Sequence, residues 1–427
     1  MSHYKPIIVL DDDPTGTQTV HDVPVLTEWS EGVLQREFLL EIPLFYILTN
    51  SRALQAEEAD ALALEIGQTI KKLAQDCWLI SRSDSTLRGH FPNEVEALAE
   101  GLGWDNNYLT VLLPAFFAGN RFTKNDIHYL KEGDRWIPAA ETPYAQDKTF
   151  GYQNSNLKDW VAEKTKGRID AVEVDSLTIE LLESASQAEL LRSIDQAEKV
   201  LVVNALEEKH LEKFCQVAHR SKRRIIFRTA ASFVATFGKI SEKDFLTSKE
   251  LVSHNSKTGG LVVVGSHVPK TTSQLSELLR SNIQAIEFEV ERFLKESIYL
   301  DNISRKINGF LSENQDVVLF TSRKLVAGFD EKESLALSVK VSQGLIQIVQ
   351  NLTARPKFFV AKGGITSSDL ATKGLGVKRA MVLGQIAAGI PVWQLGDEAK
   401  FPGLAYVVFP GNVGDEGTLR EIYEKLK

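Results

Sequence analysis

The sequence predicts an α/β protein of two domains, each a β-sheet flanked by helices. Two observations predict this class. The chain has 427 residues, whereas single hydrophobic cores stop growing near about 250 to 300 residues. Short β-branched or aromatic runs also alternate with helical stretches along most of the chain, which is typical of α/β folds. Hydrophobic residues make up 43% and charged residues 25%, so each domain can bury its own core.

Six short apolar runs predict the strands of the first domain. They lie between residues 6 and 228 and read PIIVL, PLFYILT, CWLIS, YLTVLLP, KVLVVN and RIIFR. Helical stretches such as residues 56–73 separate several of them. A polar stretch at residues 238–260 then interrupts the alternation. We place the boundary near residue 255, which gives domains of residues 1–255 and 256–427.

The second domain repeats the alternation. Its predicted strands read LVVVG, IEFEV, DVVLFT, KFFVA and AYVVF. Helices are predicted from Pro269, up to Phe310, from about Lys332 and at the C-terminal end. The two predicted domains therefore share one architecture.

Charge and cysteine content exclude several classes of protein. The formal net charge is -8 with a pI near 5.7, and the one short basic block is KRR at residues 222–224. This balance argues against nucleic acid and membrane partners. Cys77 and Cys215 have no partner at metal-ligand spacing, and no apolar run reaches the ~18 residues of a membrane span. We expect a cytoplasmic protein that acts on small molecules.

Three consecutive aspartates end the first predicted strand. Asp11, Asp12 and Asp13 directly precede a Pro-Thr-Gly-Thr turn. Two carboxylates about 6 Å apart repel by roughly 3 kcal/mol at an effective dielectric of about 20, so a cation, a proton or open water must relieve them. An ordinary solvated turn is an equal alternative. Strand alternation predicts Asp12 on the face opposite to its two neighbours, and Gly16 is expected to let a ligand approach the backbone.

The next three predicted strands also end in polar residues. The candidates are Arg52 in TNSRAL, Asp84, Ser85, Thr86 and Arg88 in SRSDSTLRGHF, and Arg121 in PAFFAGNRFT. Each motif alone is compatible with a turn, a helix cap or a plain loop. Four such strand ends together favour a pocket for a polar, anionic substrate, because guanidinium and hydroxyl groups bind carboxylates.

Glycine-rich turns follow strands of the second domain instead. The candidate nucleotide-binding residues are Ser266, Gly363, Gly364, Ile365, Thr366, Gly411 and Gly414. Glycines let backbone N–H groups point at an anion, and a following helix N-terminus adds partial positive charge. A structural turn is the alternative for each one alone, but three in one domain favour a nucleotide. The chain contains neither an ordinary P-loop motif nor a dinucleotide fingerprint after a strand.

Taken in order, these motifs resemble the four-carbon acid sugar kinase family over nearly the whole chain. The matching motifs are DD-x-TG at 12–16, SR at 51–52, DSTLRG at 84–89, PAF-x4-R-x-T at 114–123, GS at 265–266, GG-x-TS at 363–367 and GN-x-G at 411–414. The resemblance implies an ATP-dependent kinase acting on threonate, erythronate or 3-oxo-tetronate. It also implies an N-terminal sugar-acid domain, a C-terminal nucleotide domain and an active site in the interdomain cleft.

The resemblance also implies roles for residues. ATP is expected at Ser266, the 363–366 turn and Gly411, and the sugar acid at the Asp12, Arg52, Asp84 and Arg88 loops. The chain departs from the family pattern at Ile365, where many members have an acidic residue, and at Asp11, where a small residue is usual. The segment TAASFVA also replaces a GSAGLA-like segment. The chain therefore represents a divergent branch, and the magnesium ligands stay unassigned.

Phosphoryl transfer needs positioning, charge neutralisation and a carboxylate for the attacking hydroxyl, with Mg²⁺ on the phosphates of ATP. We predict Asp12 as the base, Asp13 as its partner or a magnesium-side ligand, Asp84 as the next candidate and Asp11 as the most dispensable. Arg88 is predicted to hold the carboxylate of the substrate. A nucleotide-gated binding protein without catalysis and a sugar-acid dehydrogenase are the alternatives, and the missing fingerprint weakens the latter. Homo-oligomerisation stays open.

Overall fold

A computed structural model describes residues 5–105, 107–253, 255–296, 298–323, 331–411 and 413–427. The strands are β1 (Ile7–Asp11), β2 (Val23–Leu26), β3 (Leu44–Leu48), β4 (Trp78–Arg82), β5 (Leu109–Leu113), β6 (Arg121–Lys124), β7 (Ile127–Glu132), β8 (Arg135–Pro138), β9 (Val174–Leu177), β10 (Val200–Val203), β11 (Ile225–Thr229), β12 (Leu261–Val264), β13 (Gln284–Phe288), β14 (Val317–Thr321), β15 (Phe359–Lys362), β16 (Arg379–Ala387), β17 (Ile390–Leu395) and β18 (Ala405–Phe409).

The α-helices are α1 (Glu31–Leu39), α2 (Ala56–Lys72), α3 (Asn93–Leu102), α4 (Leu157–Lys164), α5 (Ile179–Ser184), α6 (Gln187–Gln196), α7 (Glu208–Ala218), α8 (Ala231–Phe237), α9 (Ser248–Leu251), α10 (Pro269–Leu278), α11 (Val290–Phe293), α12 (Tyr299–Ser312), α13 (Glu331–Gln350), α14 (Gly364–Asp369) and α15 (Thr418–Leu426). A π-helical turn at Leu370–Gly374 continues α14.

The chain forms two compact units. The first consists of Met1–Val20 and Glu28–Glu242, and the second of His21–Thr27 and Lys243–Lys427. The division after Glu242 lies inside the polar stretch, upstream of the boundary that the sequence predicts. His21–Thr27 joins the second unit because β2 pairs antiparallel with β16, a long-range pairing that no local pattern reveals.

Seven parallel strands form the main sheet of the first unit, in the order β3-β1-β4-β11-β5-β10-β9. Helices cover sheets of this kind on both faces, so their strands are apolar throughout, as Ile8 and Val9 of β1 show with 0% exposure. The register aligns Asp11 with Leu48 of β3 and with Arg82 of β4. The polar segments after these strands therefore share one edge of the sheet. Strands β6-β7-β8 form a separate antiparallel sheet.

The second unit contains a mixed sheet. Strands β13-β14-β12-β15-β18 are parallel, and β17, β16 and β2 extend the sheet antiparallel. Its core includes Val262, Phe358, Val407 and Tyr423, all fully buried. Because β12, β15 and β18 are neighbours, the glycine turns that follow them meet at one edge.

The predicted α/β class is confirmed. The six runs of the first domain correspond to β1, β3, β4, β5, β10 and β11, and the five of the second to β12, β13, β14, β15 and β18. The sequence analysis missed β2, β6 to β9, β16 and β17. Most of these are short or half-exposed, and β16 and β17 contain Gly384 and Pro391, which weaken a strand signal. Within the described residues, no helix has the length and apolar character needed to cross a membrane.

Candidate active site

The aspartate run lies in a group of buried charges that we call the carboxylate cluster, comprising Asp11, Asp12, Asp13 and Asp84 with Arg52 and Arg82. Arg52 Nη2 lies 3.0 Å from Asp12 Oδ1 and 3.0 Å from Asp13 Oδ2. Its Nη1 lies 3.5 Å from Asp84 Oδ1. One guanidinium therefore pairs with three carboxylates and supplies the cation that relieves the repulsion among them. Arg52 was predicted to bind substrate, but in this structure its partners are carboxylates of the chain.

The strand-alternation prediction is wrong, because β1 ends at Asp11. Asp12 and Asp13 follow the strand, and both contact Arg52 instead of pointing to opposite faces. Asp12 is 3% exposed, and its Oδ2 accepts a hydrogen bond of 2.9 Å from Ser83 Oγ. The Asp13 side chain keeps 24% exposure, and its Oδ1 accepts one of 2.7 Å from the Thr15 N–H. Burial would raise the pKa of Asp13, but the charge of Arg52 and the hydrogen bonds from Thr15 together lower that pKa.

Asp11 is the most buried of the run, at 1% exposure. Its Oδ1 lies 3.3 Å from Arg82 Nη1, and its Oδ2 has no hydrogen-bond partner among the described residues. Burial raises the pKa of Asp11 to about 7, against the charge of Arg82 and together with those of Asp12 and Asp13. A Cβ on Gly16 would lie 2.0 Å from Asp11 Oδ2. Gly16 thus makes room for this carboxylate, and the predicted approach of a ligand at Gly16 stays a prediction.

Asp84 directs Arg88 in the loop after β4. Arg88 Nε donates to Asp84 Oδ2 at 2.8 Å, and the Thr86 hydroxyl donates to the same oxygen. Burial would raise the pKa of Asp84, but the charges of Arg52 and Arg88 hold it well below its usual range. Arg88 Nη1 also lies 3.6 Å from Asp147 Oδ2, and its guanidinium lies 5.1 Å from the Tyr144 ring.

Backbone contacts fix the rest of this loop. The Ser85 carbonyl accepts a hydrogen bond of 2.8 Å from His128 Nε2, and the Thr86 carbonyl one of 2.8 Å from the Tyr152 hydroxyl. A Cβ on Gly89, where φ is +127°, would lie 2.7 Å from Ser83 Oγ. The loop therefore folds back on the carboxylate cluster, and only glycine fits there.

Arg121 lies on the small β6-β7-β8 sheet. Its Nη1 donates to the Gly119 carbonyl of the same loop, and its Nε has no hydrogen-bond partner among the described residues. His128 on β7 is fully buried. Burial lowers the pKa of His128 to about 4, and the charge of Arg121 acts in the same direction. No ion pair joins Arg121 to the carboxylate cluster within the described residues, so the predicted residues of this unit are not all brought together.

The sequence analysis missed a second buried ion pair, formed by Arg228 and Glu94. Arg228, at the carboxyl end of β11, donates to Ser81 Oγ at 2.7 Å and to Glu94 Oε2 at 3.2 Å. The Ser51 hydroxyl donates to the other oxygen of Glu94. A fuller use of the strand-end rule would have found Arg228 and Arg82, because both stand at carboxyl ends of parallel strands. Glu94 gave no signal, since it lies in an ordinary helical pattern.

In the second unit, three segments that we call the glycine turns converge: Gly265–Ser266 after β12, Gly363–Thr366 after β15 and Pro410–Gly411 after β18. A Cβ on Gly265 would lie 2.3 Å from Thr366 Oγ1, and one on Gly363 3.1 Å from Ser266 Cβ. One on Gly411 would lie 3.3 Å from Ser266 Oγ. A Cβ at any of these glycines would therefore crowd the side chain of Ser266 or Thr366 where the turns meet.

Backbone donors are left free at this meeting point. The N–H groups of Ser266 and Gly411 have no hydrogen-bond partner among the described residues. The N–H groups in the first turn of α14, which begins at Gly364, have no partner within the helix. Ile365, in this first turn, is 62% exposed. Such a group of donors suits phosphate oxygens.

Gly414 does not belong to this group. Its φ is +79°, and a Cβ there would lie 2.7 Å from Thr418 Oγ1 at the start of α15. Its glycine is explained by that contact, so the predicted nucleotide role has no geometric support. Asn412 of the GN-x-G motif lies outside the described residues.

Two further cations beside the glycine turns were missed. Arg323 Nη1 donates to the Ser266 carbonyl at 2.8 Å, which fixes the first turn. Lys362, the last residue of β15, is 0% exposed, and its Nζ lies 2.5 Å from the Pro410 carbonyl oxygen and 3.3 Å from that of Gly411. The residue before the GG turn gave no signal of its own in the sequence.

In the part of the chain that the structure describes, no free carboxylate is available for Mg²⁺ at these turns. The nearby acids have other partners: Asp369 binds Ser342 and Lys373, and Asp415 binds Thr418 and the Gly417 N–H. The metal-like cluster of Glu183, Glu207 and His210 lies in the first unit, and Lys209 pairs with both of its glutamates. Among the described residues, these acids therefore do not form a prepared site for Mg²⁺ beside the glycine turns.

Comparison with known proteins identifies the family. Residues 7–237 match a sugar-binding N-terminal domain, and residues 261–419 match a nucleotide-binding C-terminal domain. The chain belongs to the four-carbon acid sugar kinase-like family. One curated member, D-erythronate kinase of Heliobacterium modesticaldum, is 26% identical over 231 residues. That alignment covers 54% of this chain and 48% of the relative, so it spans about half the length of each.

Two solved structures share the fold of this chain. A Haemophilus influenzae protein of the DUF1537 family has a TM-score of 0.68 at 15% identity, covering 98% of this chain and 99% of that one. A Salmonella typhimurium LT2 protein, described as a tRNA synthase, has a TM-score of 0.72 at 17% identity, covering 99% and 98%. At these identities the similarity supports the fold alone.

Proposed function

We propose that this protein is an ATP-dependent kinase that phosphorylates a hydroxyl group of a small, four-carbon sugar acid. The observation that carries the proposal is the convergence of the three glycine turns, with free N–H groups at Ser266 and Gly411 and at the start of α14. These turns lie in the part of the chain that matches a nucleotide-binding domain. The carboxylate cluster lies in the part that matches a sugar-binding domain.

The free N–H groups would bind phosphate oxygens of ATP. Phosphoryl transfer depends chiefly on positioning and on charge neutralisation. Mg²⁺ accompanying ATP would supply charge neutralisation, and no described residue of the glycine turns offers it a free carboxylate. The role of the chain is to fix the phosphates in one orientation.

The carboxylate cluster would orient the hydroxyl group of the acceptor. Asp13 is better placed to touch a substrate than the predicted base Asp12, because its side chain keeps 24% exposure whereas Asp12 is 3% exposed. Asp12, held between Arg52 and Ser83, is better placed to fix Arg52. We therefore assign the hydroxyl to Asp13 and a supporting role to Asp12.

Arg88 would bind the carboxylate of the sugar acid. Asp84 fixes its Nε, which leaves the two Nη groups for a ligand. The contact with Asp147 at 3.6 Å is long, and the Asp147 side chain is 27% exposed, so a substrate carboxylate can replace it. A planar guanidinium binds two carboxylate oxygens at once.

The test is ADP release from the purified full chain with ATP, Mg²⁺ and a panel of erythronate, threonate and 3-oxo-tetronate stereoisomers. Three- and five-carbon sugar acids serve as controls. ADP release with one four-carbon acid supports the kinase. Tight binding of acid and nucleotide without ADP release, measured by calorimetry, would instead support a nucleotide-gated binding protein.

A further inference from the structure

Lys362 is a buried cation that the proposed phosphoryl transfer does not explain. It is 0% exposed, and no carboxylate pairs with it within the described residues. Its Nζ lies 3.8 Å from the centre of the Phe409 ring, which is its register partner on β18. A buried lysine without an acid is costly for a fold, so its retention calls for a reason other than stability.

The hydrogen bonds of Lys362 determine how the third glycine turn is oriented. Its Nζ donates to the carbonyl groups of Pro410 and Gly411. In a trans peptide the C=O and the following N–H point in opposite directions. Because the Pro410 carbonyl points at Lys362, the Gly411 N–H points away from it. That N–H is one of the free donors at the meeting point of the turns.

Neutral side chains hold the same segment from α10. Thr271 Oγ1 donates to the Gly411 carbonyl at 3.0 Å, and Gln274 Nε2 donates to the carbonyls of Val413 and Asp415 at 3.0 and 2.7 Å. Thr271 and Lys362 therefore share one acceptor, but only Lys362 brings a charge. This pair allows the positional and electrostatic contributions to be separated.

We propose that Lys362 is a positioning residue for the nucleotide: it holds the Gly411 N–H towards the phosphates, and its ammonium group adds the positive charge that the glycine turns lack. This inference rests on the proposed function, because it requires that nucleotide phosphates occupy the turns. The inference assigns a role in nucleotide binding to Lys362, a buried residue outside the glycine motifs.

The ionisation of Lys362 gives the inference a measurable signature. Burial, with a smaller contribution from the nearby charge of Lys270, lowers the pKa of Lys362 to about 7. Bound phosphates favour the charged form, so binding should take up a proton where the free protein has lost it. Ionisable groups on neighbouring segments include His267 and Arg323 beside the Ser266 turn, Lys270 on α10, Asp369 on α14 and Asp415 after the Gly411 turn, and all are unchanged in the variants below.

The pH dependence of nucleotide affinity should have the opposite sign to the pH dependence of folding stability. A lysine whose folded pKa is depressed opposes folding most at low pH, and stability rises with pH between about 7 and the model value of 10.5. Nucleotide affinity should change in the opposite direction, falling as the pH rises through about 7. A purely structural lysine would show the first trend without the second.

The experiment measures ADP affinity of the full chain by calorimetry at pH 6 and pH 8, in buffers of different ionisation enthalpy. The variants are Lys362→Met and, as a matched control, Thr271→Val. We expect Lys362→Met to weaken ADP at pH 6 by at least tenfold. The wild-type advantage over this variant should shrink about tenfold by pH 8, and Lys362→Met should lack the proton uptake of the wild type. Thr271→Val should keep the pH dependence and the proton uptake of the wild type.

Thermal unfolding without nucleotide checks that each variant folds. Lys362→Arg, which keeps the charge, should retain more affinity than Lys362→Met. A wild type that binds no ADP would refute the proposed function itself. A wild type that binds ADP, together with a folded Lys362→Met of equal affinity and equal pH dependence, would overturn the Lys362 inference alone.

Discussion

In the first unit the candidate site consists of charged side chains that neutralise one another, whereas in the second it consists of backbone N–H groups with buried Lys362 beneath them. Arg52 alone contacts three carboxylates. In the glycine turns, glycines pack directly against the short side chains of Ser266 and Thr366. A site for a sugar acid needs directional polar contacts to distinguish hydroxyl groups, while any phosphate can be held by backbone donors. Substrate choice is therefore expected to depend on the first unit.

The largest effect is expected at Arg52, because the carboxylate cluster depends on it. Arg52→Met leaves Asp12, Asp13 and Asp84 without their shared cation. We expect a loss of roughly 3 to 5 kcal/mol of unfolding free energy and no measurable ADP release. Denaturant unfolding and the ADP assay check this. The matched control is Arg168→Met, which removes an exposed pair with Glu96 and should cost under about 1 kcal/mol.

Arg88 offers a sharper test of the substrate side. Arg88→Ala should raise the KM for the sugar acid by at least tenfold, since the loss of a charge-assisted pair in a closed site costs about 2 to 5 kcal/mol. Arg88→Lys should not restore it, and the KM for ATP should change little. An analogue with an alcohol in place of the carboxylate completes a double cycle. If the variant weakened acid and alcohol equally, Arg88 would not be the carboxylate ligand.

Gly363 tests the backbone site of the second unit. Gly363→Ala places a Cβ about 3 Å from Ser266 and should weaken ADP about tenfold while the affinity for sugar acid is unchanged. The control is Gly376→Ala, since Gly376 also has positive φ, at +68°, but a Cβ there would meet no atom within 4 Å. Calorimetry on both variants separates blocked phosphates from backbone strain. Equal losses in the two variants would count against the glycine turns as the nucleotide site.

The smallest expected effect is a change of stability with pH at Asp11. Its pKa rises from 3.8 to about 7 on folding, so between these values the folded state binds more protons than the unfolded state. The Asp11 contribution is therefore fully present below about pH 4 and is lost as the pH rises through about 7. Asp11→Asn removes this titration. As the pH rises from 5 to 8, the unfolding free energy of the variant should increase relative to that of the wild type. Parallel pH profiles of the two proteins would contradict a raised pKa at Asp11.

The sequence alone determined the α/β class, the central strands of both sheets and the positions of the polar and glycine-rich turns at strand ends. These features are local, because a buried parallel strand needs a continuous apolar run and a tight turn needs glycine. The same logic located Arg52, Asp84, Ser266 and Gly363 as candidates.

Only the tertiary structure decided which of these residues meet. Long-range register placed β2 in the second unit, joined Arg52 to three aspartates and brought Gly265 against Thr366. It also gave Gly16 and Gly414 structural neighbours in place of a ligand, and buried Lys362 beneath the Gly411 turn. The physical reason is that charge pairing, burial and close backbone approach depend on distances between segments far apart in the chain, which a local residue pattern does not contain.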